Sequence, residues 1–370
     1  MKRSAVRVAA RAAAIAFAAS AIGLGRAAPE ARADRGAVGA WDAASQRGWG
    51  YMIEKLSADG LDRQRVSAVF ADPRFPEFTG LRFSLAPREP RALYRRFLTS
   101  ASVAQARLCR ARYADALDAA EDRHGVAASV VAAILHVETG CGRNTGSSRI
   151  LPALARLAMA AEPANLAINI EANTGSVLPA SAEDARPTVA RARRLEEMFY
   201  PEVRATLELA DRLGVDPLEI RGSGSGAFGI PQFLPTSYML FGNDGNGDGR
   251  VSLYDPEDAI ASCAAYLQGH GWHRGLTLTE KRQVIWHYNH SPAYVDTVLS
   301  LANRIDAPAR TVVQVAKRTT SGKGNRAVAK AHVGTGAKSA HAKSKAKAQP
   351  APRKTASAAA TGKASGSATN

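Results

Sequence analysis

Apolar residues recur at three- and four-residue intervals through most of the chain between residues 41 and 305, a period that predicts helices rather than strands. Trp49, Met52, Ile53 and Leu56 mark the inward face of a first segment, and Leu61-Asp62-Arg63 opens a second helix. The stretch 72–90 is broken by Pro73, Pro87 and Pro90 and is expected to wrap over a neighbouring surface. The period is strongest over 104–138. Leu108, Tyr113, Leu117 and Ala120 share one face there, His124-Gly125 breaks it, and 126–138 forms another helix. Residues 162–190 lose the period and contain Gly175, Pro179 and Pro187, which reads as a loop-rich insertion. Helix returns over 195–213, with Met198, Val203, Leu207 and Ala210 inward, and again over 255–269 and 278–305. No β-rich domain and no internal repeat is visible. The predicted fold class is mainly α.

Composition changes this picture only at the two ends. The chain has 370 residues and a formal charge of +16, which suggests a nucleic-acid partner. Residues 306–370, however, hold 13 Lys/Arg against Asp306 alone, and residues 1–33 hold six against Glu30 alone, so 34–305 carries a net −1. A near-neutral body disfavours nucleic acid. Lys2, Arg3, Arg7 and Arg11 precede a short apolar run, and Ala31-Arg32-Ala33 follows, the pattern of a secretory signal peptide over 1–33. The run is shorter than the roughly 20 residues that span a bilayer. No Cys lies nearby to take a lipid. An uncleaved anchor is the alternative; a soluble exported monomer is the expectation. Residues 306–370 are Ala-, Lys-, Ser-, Thr- and Gly-rich and cannot bury enough apolar surface to order themselves. They form a basic tail, either a solvated linker or a weak electrostatic contact with anionic envelope polymers. Cys109, Cys141 and Cys263 allow at most one disulfide, and Cys109 and Cys263 sit at positions suited to small core residues.

Four constellations carry candidate chemistry. Glu138 continues an apolar helical stripe through Ile134 and Leu135, and Gly140 and Gly142 follow at once. Burial and a helix C-terminus both favour the protonated carboxyl, the form a general acid needs. The alternative is an ion pair with Arg143 or Arg149. The glycine-rich block 222–229 runs into Pro231-Gln232-Phe233-Leu234-Pro235. Ser223 and Gln232 offer hydrogen bonds there, and Phe228 and Phe233 apolar walls. It lacks the Lys of a phosphate loop, and a plain linker would lack the Gln-Phe-Leu-Pro cluster. Asp244, Asn246 and Asp248, then Gly249 and the Arg250 carbonyl, follow the spacing of a calcium loop. Position 12 is Asp255 rather than Glu, and Asp258 lies three residues further on. An Asx-rich turn without metal is the alternative. Last, Trp286-His287-Tyr288-Asn289-His290-Ser291-Pro292-Ala293-Tyr294 offers aromatic faces and an amide suited to sugars; its histidines lack metal-ligand spacing.

In this order the four pieces resemble the membrane-bound lytic murein transglycosylase B family. The matching residues are Val137-Glu138-Thr139-Gly140 with Gly142 and Arg143, Arg149-Ile150-Leu151-Pro152-Ala153-Leu154, the block through Tyr238, the metal loop, and Tyr288-Asn289-x-Ser291-x-x-Tyr294. The resemblance covers about residues 47–305. It implies a lysozyme-like helical catalytic domain over 34–305, with a helical N-terminal extension and an EF-hand-like loop at 244–258. It implies cleavage of the MurNAc–GlcNAc β-1,4 bond of peptidoglycan to a 1,6-anhydro product, with Glu138 as sole acid/base and no cofactor for the chemistry. Ser223, Gln232, Phe233, Tyr288 and Asn289 would line sugar subsites. Asp244, Asn246, Asp248, Arg250 and Asp258 would hold a structural Ca2+ or Na+, with Asp258 as the late ligand that the family uses. The expected partner is the glycan strand and the expected place the periplasm, without a stable membrane anchor. One departure is Cys141, where the family often has an aromatic residue. A hydrolytic muramidase and a non-catalytic wall-binding protein are the competing readings.

Overall fold

The computed structural model describes residues 35–86, 91–175 and 181–308, with side chains from residue 39 onward. The expected leader and all of the basic tail past residue 308 lie outside them. Three helices come first: α1 (Arg35–Gln46), α2 (Gly50–Ala58) and α3 (Arg63–Ala71). Asp62 caps α3 by accepting the Arg65 N–H at 2.7 Å, as its place before the apolar period predicts. Trp49 is the anchor of this segment. Its ring meets Phe70 and Phe75 at 5.4 and 5.0 Å, and its indole N–H donates to the Pro76 carbonyl at 2.8 Å.

The short α4 (Ala92–Arg95) and a 3-10 turn (Arg96–Leu98) lead into α5 (Ser100–Arg112), α6 (Ala114–His124) and α7 (Ala128–Thr139). Helix α7 is nearly all apolar because it is central: it packs against α5, α6, and two later helices, α12 and α14. A two-residue strand β1 (Ser148–Arg149) pairs antiparallel with β2 (Arg221–Gly222); between them lie α8 (Ile150–Ala158), α9 (Pro163–Thr174) and α10 (Ala182–Leu213). Then follow α11 (Pro235–Phe241), α12 (Pro256–Gly269), α13 (Leu278–Tyr288) and α14 (Pro292–Asp306). The chain is mainly α, as predicted. No described helix is long and apolar enough to cross a membrane.

Several local expectations are corrected. Among the described residues, the expected loop over 162–190 is α9 and the start of α10, while Pro179 lies outside them. Its apolar period is missing because Asn165 and Asn169 hold the buried positions of α9. Asn165 accepts the Leu81 N–H at 2.7 Å and Asn169 donates to the Leu81 carbonyl at 2.8 Å, clasping the proline-broken segment to the helix. Pro187 and Pro201 both lie inside α10, past the first turn, so each removes one intrahelical hydrogen bond from this long helix. Leu108 and Met198, both expected inward, are 69% and 52% exposed. On α5 the inward positions are Ala106 and Cys109, so the stripe is one residue out of register with the Leu108 reading.

Cys109 is not a plain core residue. It forms a disulfide with Cys141, Cα to Cα 6.4 Å, tying α5 to the turn that ends α7. Cys263 is the free thiol, fully buried on α12, and burial pushes its pKa up to about 12. The bridge closes a sequence separation of 32 residues. Loop entropy alone makes that worth about 3.5 kcal/mol, or a fall of roughly 10 °C in Tm for a domain of this size. Cys109→Ser with Cys141→Ser should show that fall by scanning calorimetry, while native-state thiol labelling of Cys263 stays negligible.

Candidate functional site

The site is built around the way α7 stops. Gly140 takes the left-handed conformation (φ 61°), and the Cys141 N–H returns to the Leu135 carbonyl at 2.9 Å, closing the helix. Cys141 and Gly142 are also at positive φ, 59° and 83°. Thr139, 4% exposed, donates its hydroxyl to the Ile230 carbonyl at 2.8 Å and accepts the Gly142 N–H at 2.9 Å. The turn is thereby fastened to the glycine-rich block. At Gly146 a Cβ would come within 2.2 Å of the Gly222 carbonyl oxygen, so only glycine allows the two backbones to meet.

Glu138 is half-buried one turn position before this stop. Tyr294 on α14, fully buried, donates its hydroxyl to Glu138 Oε1 at 2.6 Å. Burial first, then the Glu138 charge, holds the Tyr294 pKa well above 10, so it remains a donor. The half-buried Tyr288 stacks parallel to Tyr294, centroids 6.3 Å apart, and donates to the Pro231 carbonyl at 2.6 Å. Burial is the main reason its pKa too lies well above 10, with Cys263 adding to it. Tyr94 meets Tyr294 edge-on at 6.0 Å.

The expected sugar-contacting residues divide. Ser223 follows β2, beside the turn; its Oγ accepts the Ala227 N–H at 3.2 Å and keeps its proton to donate. Gln232, at φ 54°, donates its amide to the Thr145 and Gly229 carbonyls at 3.1 and 2.9 Å, which leaves its oxygen as the free end. Tyr288 reaches the Glu138 cluster through Tyr294, and half-buried Asn289 follows it at the end of α13. Phe233 is a correction. It is 3% exposed, packed on Tyr266 and Tyr288, and Phe228 is 2% exposed, so both are core rather than groove wall. Residues the sequence reading left out are Tyr294 as a partner of Glu138, and His136 with Ser102. Tyr294 was visible in the closing motif; nothing in sequence joined Ser102 to His136, 34 residues away.

The 244–258 loop is closed by its own side chains. Asp244 accepts the Gly247 and Gly249 N–H groups at 2.6 and 2.8 Å, and Asn246 and Asp248 accept those of Asp248 and Arg250 at 2.9 and 2.8 Å. Asp258, 1% exposed, accepts from Gly245 at 2.8 Å and Ser252 at 2.7 Å. Asp255 is the N-cap of α12, and its side chain accepts the Glu257 and Asp258 N–H groups. Among the described residues no three Asp, Glu, His or Cys side chains converge as a metal-binding group. The donor set is all oxygen, which fits a hard cation and no soft one.

Glu138 opens on a cavity of about 410 Å3, walled by the 96–98 turn, α5 and the end of α7. Residues 45–281 match the family model described as the transglycosylase SLT domain. The chain belongs to that family. A curated relative, the membrane-bound lytic murein transglycosylase B of Escherichia coli (strain K12), is 31% identical over 215 residues, 58% of this chain and 48% of the relative. The chain thus spans about half that relative's length. Among solved structures, the E. coli lytic transglycosylase SLT35 in complex with bulgecin A has a TM-score of 0.51 at 25% identity, covering 71% of this chain and 92% of that one. The same protein in complex with calcium gives 0.50 at 24% identity, with the same coverage. SltB3 from Pseudomonas aeruginosa, in complex with NAG-anhNAM-pentapeptide, gives 0.51 at 21%, covering 71% and 79%. The expected lysozyme-like helical architecture is therefore that of the family.

His136, 4% exposed, lies on the cavity floor with Nε2 2.8 Å from Ser102 Oγ. Burial, then the charge of Arg143, lowers its pKa from 6.5. The unfolded chain therefore binds this proton first: stability is intact above pH 6.5 and is lost as pH falls through the folded pKa. His136→Gln should flatten the acid side of a Tm-against-pH profile; an unchanged slope would show that the proton is taken up elsewhere.

Proposed function

We propose that this protein is a lytic transglycosylase that cleaves the MurNAc–GlcNAc β-1,4 bond of peptidoglycan with Glu138 as its only acid/base. The observation that carries the reading is the Tyr294 hydroxyl held 2.6 Å from Glu138 Oε1, at the mouth of a cavity whose described lining residues include no other carboxylate. Two-carboxylate glycosidases need a partner roughly 5–9.5 Å away. Here one group acts twice. The Glu138 carboxyl protonates the glycosidic oxygen, and the C1–O bond breaks with its electron pair going to the leaving GlcNAc. The resulting carboxylate takes the proton of the MurNAc C6 hydroxyl, whose oxygen bonds to C1. No water is consumed, so the product ends in 1,6-anhydro-MurNAc and no cofactor enters. Tyr294 fixes the orientation of the carboxyl through Oε1, which sets the direction of the proton transfers. Ser223, Gln232, Tyr288 and Asn289 supply the polar contacts to the sugars.

The family's neighbours support the substrate class: relatives are murein transglycosylases, and SltB3 has been solved with a NAG-anhNAM-pentapeptide. The Cys109–Cys141 bridge and the basic, apolar, A-x-A leader together support export to the periplasm, where disulfides persist.

Digestion of peptidoglycan followed by mass spectrometry tests the chemistry. The expected muropeptides are one water lighter than hydrolysis products, and reducing ends would replace this reading with a muramidase. Glu138→Gln should lower kcat at least about a thousandfold with an unchanged Tm, in line with loss of the only proton-transfer group.

We also infer a single structural Ca2+ in the 244–258 loop, held by the Asp244, Asn246 and Asp248 side chains, the Arg250 carbonyl and Asp258. Its support is the all-oxygen donor set at calcium-loop spacing and the calcium complex of SLT35. Saturating Ca2+ should raise Tm by a few degrees in wild type and not in Asp244→Asn/Asp248→Asn; equal shifts in both would place the ion elsewhere.

A further inference from the structure

Glu138 lies inside the loop that the Cys109–Cys141 bridge closes, three residues before its end. The bridge joins two sides of the cavity that Glu138 opens on. One side is α5, which contributes Ala101, Ser102 and Gln105; the other is the end of α7 and its turn, from His136 to Arg143. Beside the bridge the turn also reaches α5 through a hydrogen bond from Arg143 to Gln105, both exposed.

The packing of the helices does not rest on this bridge. Helix α7 is enclosed by α5, α6, α12 and α14, with Val131, Ala132, Ala133 and Ile134 fully buried. Ser102 of α5 meets His136 in the last turns of α7. The turn after α7 is different. Gly140, Cys141 and Gly142 follow one another at φ 61°, 59° and 83°. A positive φ is ordinary for the two glycines and costly for a cysteine, so Cys141 has to be held there. The bond from its N–H to the Leu135 carbonyl holds its backbone, and the bridge holds its side chain.

The bridge is also open to attack. It lines a second cavity of about 260 Å3, which adjoins the first and shares Gln105, Gly140 and Arg143 with it. Cys141 is partly exposed, whereas Cys109 is buried. An incoming thiolate therefore meets Cys141 Sγ first, and Cys109 is the leaving group. Arg112, three residues beyond Cys109, lines the same cavity with Arg143, and cations beside a sulfur favour its thiolate. The third cysteine takes no part. Cys263 is fully buried on α12, so the pair has no partner with which to reshuffle.

We propose that the Cys109–Cys141 bridge is a redox switch on Glu138: a dithiol reductant opens it, the turn is released and the acid misplaced, while the helices stay packed. The step is thiol–disulfide exchange. One dithiol sulfur bonds to Cys141 Sγ as the bond to Cys109 breaks, and the electron pair leaves on Cys109. The second dithiol sulfur then displaces Cys141. The protein gains two thiols, protonated by the two protons of the dithiol, and the dithiol is oxidised to a disulfide. The inference rests on Glu138 as the acid of the reaction above. Ser223, Gln232, Tyr288 and Asn289 belong to the glycine-rich block and the end of α13, outside the closed loop, so opening it spares their contacts with substrate.

Dithiothreitol titration of the whole protein, below the Tm of its reduced form, tests the switch. The folded protein should show no reactive thiol when oxidised and two when reduced, with near-UV circular dichroism retained. A displacement of about 1 Å at a reacting group costs up to a hundredfold, so kcat on peptidoglycan should fall at least about tenfold on reduction. KM should stay within about twofold, and reoxidation should restore kcat. The Cys141 and Asn144 amides, which close the turn on Leu135 and Thr139, should exchange with deuterium faster in the reduced protein. Cys109→Ser with Cys141→Ser should match the reduced wild type and ignore the dithiol. An unchanged kcat on full reduction, or a fully active serine pair, would overturn the switch. So would a bridge that resists the dithiol until the protein unfolds, or a kcat that falls only in step with the circular dichroism. Residual turnover by Glu138→Gln would sink the acid assignment; a kcat that still followed the bridge in that protein would keep the switch.

Discussion

Thr139 follows Glu138 by one residue and joins two parts of the chain through a single buried hydroxyl. It donates to Ile230 in the glycine-rich block and accepts from Gly142 in the turn that ends α7. Without it, a buried carbonyl and a turn N–H would lack partners, at about 1–3 kcal/mol each. More depends on it than stability. The end of α7 sets where Glu138 points, and the block sets where Ser223 and Gln232 stand. Gly146 and Gly222 let the same two backbones touch, and the β1–β2 pair continues the seam through Ser148–Gly222 and Arg149–Arg221. The disulfide fastens the other side of the turn to α5. Glu138 is therefore held from two directions by the residues immediately after it, while Tyr294 holds its carboxyl from above.

That arrangement explains which parts could be read in the sequence. The helices around α7 announce themselves because their burial is apolar and periodic, and Glu138 stands out because it interrupts that period at a glycine-marked stop. Asp62, Thr277 with Glu280, and Ser291 are local caps, and local caps are legible. What failed shares one cause. On α9 the buried positions are Asn165 and Asn169, whose partners lie in a segment more than 80 residues away, so a polar buried face passed for a loop. The inward register of α5 depends on Cys109 reaching Cys141, a pairing that three cysteines left open. Phe233 offered an aromatic wall in sequence, but the turn at Gln232, with φ 54°, aims it into the core against Tyr266 and Tyr288.

The electrostatics of the two sides of Glu138 differ. On the α14 side are neutral donors in a dry setting: Tyr294 and Tyr288, both kept protonated by burial, and the buried Cys263 thiol beyond them. A hydrogen bond from Tyr294 to Oε1 serves Glu138 whether the carboxyl is protonated or not, because either form can accept at that oxygen. On the α5 side are cations. Burial first, and then the charge of Arg143, lowers the pKa of His136 beneath them.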